Sequence, residues 1–100
     1  MATIVHGTVD QSLEEASAAT RRVAAGQGWE LREGDSPAEL EFFKAGGFVT
    51  FGSRMTVQLE AASPSRTELK ISVRSFAVFG SGRGQRAADQ LVDGVGARKG

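Results

Sequence analysis

The sequence contains no cysteine and no tyrosine, and His6 is its only histidine. Without thiols the chain cannot form disulfides, thiolate metal sites or a cysteine nucleophile, and a reducing compartment is the simpler expectation. We therefore predict a cytoplasmic protein. A single histidine with no carboxylate partner nearby in the sequence predicts no metal site and no cofactor. Because no nucleophile, base and orienting group stand out together, we also predict that the protein is not an enzyme.

Long apolar runs and an excess of one charge are also missing. The apolar runs are a few residues long, far below the about 20 residues of a membrane-spanning helix, so no membrane span is predicted. No secretion signal is visible at the start. Twelve acidic residues balance twelve basic ones, so nucleic acid is not an expected partner. Residues 61–100 hold seven bases and three acids, so any positive field should gather there.

The 100 residues predict one domain, residues 1–100, with a single core. Residues 2–9 are rich in β-branched side chains and predict a first strand. Ser12 followed by Glu15 is a capping box, which predicts the start of a helix. Gly26 and Gly28 predict the end of that helix.

Alternation of apolar and polar side chains predicts four more strands, near residues 29–32, 39–42, 49–60 and 68–74. A second helix follows to about Val95, with Gly94 and Gly96 expected to fray its end. The four later strands share one apolar face that two amphipathic helices can cover. The predicted fold is an α+β two-layer sandwich, a mostly antiparallel five-stranded sheet with two helices on one face, in the order β-α-β-β-β-β-α.

Three short motifs accompany this element order: Gly-Gln-Gly-Trp at the end of the first helix, Phe51-Gly52 in the long strand, and Val78-Phe79-Gly80 before the last helix. Together they resemble a family of small uncharacterised bacterial domains, although the acidic residue expected in the third motif is absent. The topology is similar to a helix-grip domain or to one half of a TATA-binding protein. That resemblance implies lipid binding, nucleic-acid binding or dimerisation and does not choose among them.

The glycine-rich segment before the last helix is a candidate anion site. Free N–H groups at a helix start, together with guanidinium groups, favour a phosphate or carboxylate. The residues concerned are Ser81, Gly82, Arg83, Gly84 and Arg86. A tight strand-to-helix turn explains the same glycines without any ligand and is the favoured interpretation.

Aromatic residues give two further candidates. Trp29, Phe51 and Phe76 can line a cavity for a small apolar ligand between sheet and helices, although most aromatic residues are expected in the core. Phe43 and Phe48 fall on the polar face or at a turn, where aromatic surface often marks an interface. Partial burial at a sheet edge is the alternative for both.

These residues lead to two main hypotheses. The first is a non-enzymatic binding or interaction module that forms a homodimer or binds a protein partner. This module would also have an accessory anion site at residues 80–86. The second is a carrier or sensor of a small apolar ligand. A small enzyme ranks last, because only a pocket that joins His6 to a carboxylate would supply its chemistry.

Overall fold

The computed structural model describes residues 2–36, 38–44, 50–77 and 83–99. Within these residues the chain forms one antiparallel sheet and two α-helices. In chain order the elements are β1 (Ala2–Val9), α1 (Leu13–Gly26), β2 (Glu30–Ser36), β3 (Glu39–Lys44), β4 (Thr50–Ser63), β5 (Arg66–Ala77), α2 (Arg83–Val95) and β6 (Arg98–Lys99). The predicted α+β class and element order are confirmed. The two-residue strand β6 was not predicted, because two residues are too few to show an alternation.

The strands lie in the order β2-β3-β4-β5-β1-β6. Strands β2 to β5 follow one another as a meander, and β1 returns from the start of the chain to pair with β5. The register sets Val57 opposite both Leu40 and Ile71, and it sets Val5 opposite Ile71. Since directly paired residues share a face of the sheet, these apolar side chains form one continuous layer.

This apolar layer and the two helices form one core. Helix α1 contacts β2, β4 and β5, and helix α2 contacts β1 and β5. Burying a large apolar side chain contributes about 1.5–3 kcal/mol, so the layer is the main source of stability. The buried apolar residues that the strands contribute to the core are Val5, Val9, Leu40, Phe42, Met55, Val57, Leu59, Leu69, Ile71 and Val73. The helices contribute Ala16, Ala19, Ala24, Ala88, Leu91, Val92 and Val95.

The predicted capping box starts α1. The Ser12 hydroxyl accepts a hydrogen bond from the Glu15 backbone N–H at 3.2 Å, and the Glu15 carboxylate accepts one from the Ser12 backbone N–H at 3.4 Å. The buried side of α1 consists of small residues, including Ala16 and Thr20. The buried Thr20 hydroxyl donates to the Ala16 carbonyl at 2.7 Å, so it needs no partner in the sheet. These small side chains allow the helix to lie close to the strands.

Both helices end in the Schellman arrangement. In α1, Gly28 has φ +91°, its N–H donates to the Ala25 carbonyl at 3.1 Å, and the Trp29 N–H donates to the Ala24 carbonyl at 2.9 Å. The prediction that Gly26 shares this left-handed stop is wrong, because it lies within α1 and only Gly28 adopts positive φ there.

The end of α2 repeats this geometry. Gly96 has φ +80°, its N–H donates to the Asp93 carbonyl at 3.2 Å, and the Ala97 N–H donates to the Val92 carbonyl at 3.0 Å. The helix runs through Gly94 and ends at Val95, before the last residues of the given sequence, as predicted.

Gly94 marks the closest approach of the two helices. A methyl group at this position would overlap the Val23 Cγ1 atom of α1 and would lie 3.2 Å from Gln27 Nε2. The Gln27 side chain also crosses to α2, where its Nε2 donates to the Gln90 carbonyl at 2.9 Å. Glycine is therefore required at position 94 by space and not by backbone conformation.

We predict opposite effects for two glycine substitutions in the helices. Gly26→Ala should stabilise the protein by about 0.5–1 kcal/mol, because a methyl group there meets nothing within 4 Å and alanine favours the helix. Gly94→Ala should destabilise it by about 1–2 kcal/mol, because overpacking against Val23 exceeds the gain in helix propensity. Urea unfolding followed by circular dichroism measures both. A Gly94→Ala variant at least as stable as the wild type would contradict this packing.

Within the described ranges, neither helix is long and apolar enough to cross a membrane.

Candidate functional site

The indole of Trp29 lies beneath a lysine at one end of the sheet–helix interface. Trp29 directly follows the α1 stop and is 5% exposed, so it belongs to the core. The Lys44 ammonium nitrogen lies 5.2 Å from the centroid of the indole, which is a cation–π distance. We call Trp29, Lys44 and the adjacent Gly28 the Trp29 corner.

Lys44 occupies the apolar face of β3. It follows the buried Leu40 and Phe42 at the two-residue spacing of one strand face, so its side chain starts from the layer that the helices cover. Lys44 Cε would lie 3.1 Å from a Cβ on Gly28. Gly28 therefore serves two needs, because its positive φ ends α1 and its missing side chain leaves space for the lysine stem.

The Lys44 ammonium has an aromatic neighbour but takes part in none of the ion pairs found in the described part of the chain. A half-buried cation at the rim of an apolar layer can bind an anionic group while the layer contacts an apolar body. The sequence analysis missed this lysine. The spacing of Leu40, Phe42 and Lys44 is the signal that could have found it.

The two other predicted ligand residues share the sheet with this corner. The backbone of Phe51 lies in β4 and that of Phe76 in β5, and the register sets Ser53 opposite Lys44 and Thr50 opposite Ala77. Both backbones thus belong to the same end of the sheet as Lys44. The side chains of Phe51 and Phe76 are outside the described part, so their role in a ligand site stays a prediction.

The middle of the apolar layer is filled. Leu40, Met55 and Val57 are 0% exposed, and Phe42 is 1% exposed. A cavity large enough to admit water would leave accessible surface on the side chains that line it. These four side chains therefore line no such cavity, and a ligand on this face has to bind towards the Trp29 corner.

The predicted anion loop falls mostly outside the described residues. Ser81 and Gly82 are not described, and α2 begins with Arg83 and Gly84, where the Arg83 side chain is not described either. Arg86 is exposed on α2. Anion binding by residues 80–86 thus stays a prediction.

Of the two predicted interface residues, Phe43 is described and Phe48 lies outside the described ranges. Phe43 is half-buried and stands opposite Arg54 of β4, on the face that the helices leave uncovered. The Arg32 guanidinium carbon lies 5.0 Å from the centroid of the Phe43 ring. We call this uncovered side of the sheet the outer face.

The outer face carries a cleft of about 590 Å³ near the ends of β3, β4 and β5. His6 lines it together with the carboxylates of Glu39, Glu60 and Glu68. The register sets His6 directly opposite Lys70, and Glu68 is the next residue on that face of β5. Across the described residues, no group of three histidine, aspartate or glutamate side chains is placed to hold a metal ion. The cleft lining consists of His6, Ala38, Glu39, Gln58, Leu59, Glu60, Glu68, Leu69 and Lys70.

Solved structures of similar fold exist despite very low sequence identity. A START superfamily protein from Mycobacterium smegmatis is 8% identical, with a TM-score of 0.66 over 95% of this chain and 91% of that one. An uncharacterised protein from Bacillus thuringiensis is 8% identical, with a TM-score of 0.63 over 95% and 96%. The Zhui aromatase/cyclase from Streptomyces sp. R1128 is 10% identical, with a TM-score of 0.59 over 96% and 84%.

The prediction that the protein is not an enzyme is corrected by these structures. It was drawn from the missing set of nucleophile, base and orienting group. The Zhui protein is an aromatase/cyclase of similar fold, and this chain also matches 43% of the di-domain ARO/CYC StfQ from the steffimycin biosynthetic pathway. Because this fold carries catalysis in those proteins, the missing set does not exclude an enzyme. At 10–13% identity the likeness shows the fold alone.

No family model matches the sequence, and no curated protein matches it either. The helix-grip part of the predicted resemblance is confirmed by the START-like structures. The likeness to one half of a TATA-binding protein and to a particular family of bacterial domains stays a prediction. The chain thus has the helix-grip fold of START superfamily proteins.

Proposed function

We propose that the protein binds a small apolar molecule that carries an anionic group, and that it does so at the Trp29 corner. In this role it acts as a carrier or sensor, or holds the molecule for a reaction. The observation that carries the proposal is Lys44, a cation on the apolar face of β3 that lies 5.2 Å from the centroid of the Trp29 ring.

A lysine in this position is unfavourable for a purely structural layer. Desolvating an ammonium group opposes burial, and a leucine or methionine would cover Trp29 without that cost. The cation–π contact offsets the cost by about 0.5–2 kcal/mol and holds the ammonium at the rim. A bound carboxylate or sulfonate would add a charge-assisted hydrogen bond to Lys44, while its apolar part contacts the indole side of the corner.

The rest of the fold limits where such a molecule can lie. The layer beneath the helices is filled at Leu40, Met55 and Val57, so the ligand cannot occupy the middle of the sheet. The predicted ligand residues Phe51 and Phe76 belong to the strand segments that lead away from this middle towards the corner. The fold shared with a START superfamily protein and with an aromatase/cyclase agrees with small-molecule binding but does not identify the ligand.

Two fluorescent probes with the same aromatic size test the role of Lys44. We expect the anionic probe 8-anilinonaphthalene-1-sulfonate to bind with energy transfer from Trp29, the only tryptophan. Lys44→Gln should weaken this binding about tenfold, the effect of losing one charge-assisted hydrogen bond of about 1.4 kcal/mol. The neutral probe N-phenyl-1-naphthylamine should bind the wild type and Lys44→Gln equally well.

Lys70→Gln is the matched control, because Lys70 is exposed on the outer face and lies away from Trp29. It should bind both probes like the wild type. Equal affinity of Lys44→Gln and wild type for the anionic probe would refute the assigned role of Lys44. Failure of both probes to bind the wild type would refute the site.

The arginine–aromatic pair on the outer face favours a second function, self-association. Arginine and aromatic residues are enriched in protein interfaces, and Arg32 stacks on the half-buried Phe43 beside the edge strand β2. A second copy can cover this pair and so complete the burial of the ring. Whether Phe48 joins the same surface stays a prediction.

Sedimentation equilibrium tests self-association directly. We expect the wild type to show a monomer–dimer equilibrium and Phe43→Ser to shift it towards the monomer by about thirtyfold or more, the lower end of a hot-spot effect. Lys70→Ser serves as the control on the same face and should leave the equilibrium unchanged. A wild type that stays monomeric at high concentration would exclude this second function while leaving ligand binding at the Trp29 corner unaffected.

A further inference from the structure

Two arginines lie side by side on the outer face of the two longest strands. The register sets Arg54 of β4 opposite Arg74 of β5, and Thr56 opposite Ser72 one step further along the same face. These four side chains line a shallow cavity of about 160 Å³. A shallow cavity of this size has room for one small oxyanion.

The charges of the two arginines are only partly balanced. Directly paired residues have Cβ atoms about 4.5–5.5 Å apart, and like charges in such a pair oppose each other. The Arg54 Nε lies 3.2 Å from the Glu41 Oε1, so the Glu41 carboxylate balances the charge of Arg54. None of the ion pairs in the described ranges involves Arg74. A net positive charge therefore remains at this arginine pair on β4 and β5, beside the hydroxyl groups of Thr56 and Ser72.

We propose that Arg54, Arg74, Thr56 and Ser72 bind the phosphate or sulfate group of a small soluble molecule. Guanidinium groups donate two parallel hydrogen bonds to such an oxyanion, and the hydroxyls of Thr56 and Ser72 supply two more donors. A bound anion offsets the repulsion between the two arginines. This gain favours anion binding at this position on the sheet. The site is distinct from the Trp29 corner because it lies on the opposite face.

Charge on the surrounding surface favours a soluble ligand over a lipid headgroup. The outer face also carries the carboxylates of Glu39, Glu41, Glu60 and Glu68, which the register places on β3 beside the arginines and further along β4 and β5. A flat anionic bilayer would meet these carboxylates together with the arginines. A single small anion meets only the arginines, the two hydroxyls and Glu41.

The test is a titration of the ¹⁵N-labelled protein with inorganic phosphate, with sodium chloride replaced to hold ionic strength constant. We expect saturable shifts of the Thr56 and Ser72 amide signals. Arg74→Gln should weaken binding about fivefold, since one exposed charge-assisted contact is lost. Glu41→Gln should strengthen binding about twofold to threefold, because it removes the competing carboxylate beside Arg54. A merely structural role of these residues would not raise affinity in the Glu41 variant.

Arg22→Gln is the matched control, because Arg22 is an exposed arginine on α1 and not on the outer face. It should leave phosphate binding unchanged. Equal shifts in chloride alone, or a loss of binding in Arg22→Gln in place of Arg74→Gln, would overturn the proposal.

Vesicles of phosphatidylcholine with or without phosphatidic acid separate the two sources of phosphate. We expect no co-sedimentation with either. Co-sedimentation that requires both phosphatidic acid and Arg74, without shifts in free phosphate, would overturn the assignment to a soluble ligand.

Discussion

The structure depends on the burial of one face of an antiparallel sheet beneath two helices. Four neighbouring strands contribute apolar residues at every second position, and their register joins these residues into one layer. The helices meet this layer through small residues on α1 and through Leu91 and Val92 on α2. Close packing then sets the remaining local requirements. Gly94 must lack a side chain because Val23 of the other helix occupies that space.

The close packing of side chains in this layer limits where the covered face has room for a ligand. In the middle of the sheet the side chains are fully enclosed, so the covered face offers no room there. The covered face carries a charged residue at one end, where Lys44 takes the position beside Trp29 that alternation would give to an apolar residue. The outer face behaves differently, because its side chains are solvated and its chemistry depends on which charges the register brings together. The two proposed sites are therefore independent consequences of the same sheet.

Local patterns predicted most of the elements. The capping box at Ser12 and the alternation from Met55 to Leu59 depend on residues close in the chain, and both are confirmed. Features that need two distant segments were not predicted. The contact of Gly94 with Val23, the pairing of Arg54 with Arg74 and the stacking of Lys44 on Trp29 all depend on packing or register. The exposure of Leu31 also depends on distant segments. Leu31 pairs with the buried Phe42, but it is exposed because β2 is an edge strand.

The prediction that the protein is not an enzyme failed for a related reason. The search for a nucleophile and its base treats catalysis as a property of reactive side chains. A fold that is shared with aromatase/cyclases need not show such a set in the sequence. Positioning and water exclusion can contribute to catalysis as much as a reactive group. In the proposed ligand site, Lys44 is distant in the sequence from Gly28 and Trp29 and meets them only in the folded chain.

The central claim is that both helices cover the same face of the sheet, and nuclear Overhauser contacts test it most directly. The Val92 Cγ2 atom lies 3.8 Å from the position that a Cβ on Gly7 would take, on the covered side of β1. The account predicts contacts from the Val92 methyls to Gly7, and from the α1 methyls to β4 and β5 residues of the apolar layer. Contacts from either helix to outer-face residues such as Thr56 or Ser72 would contradict it.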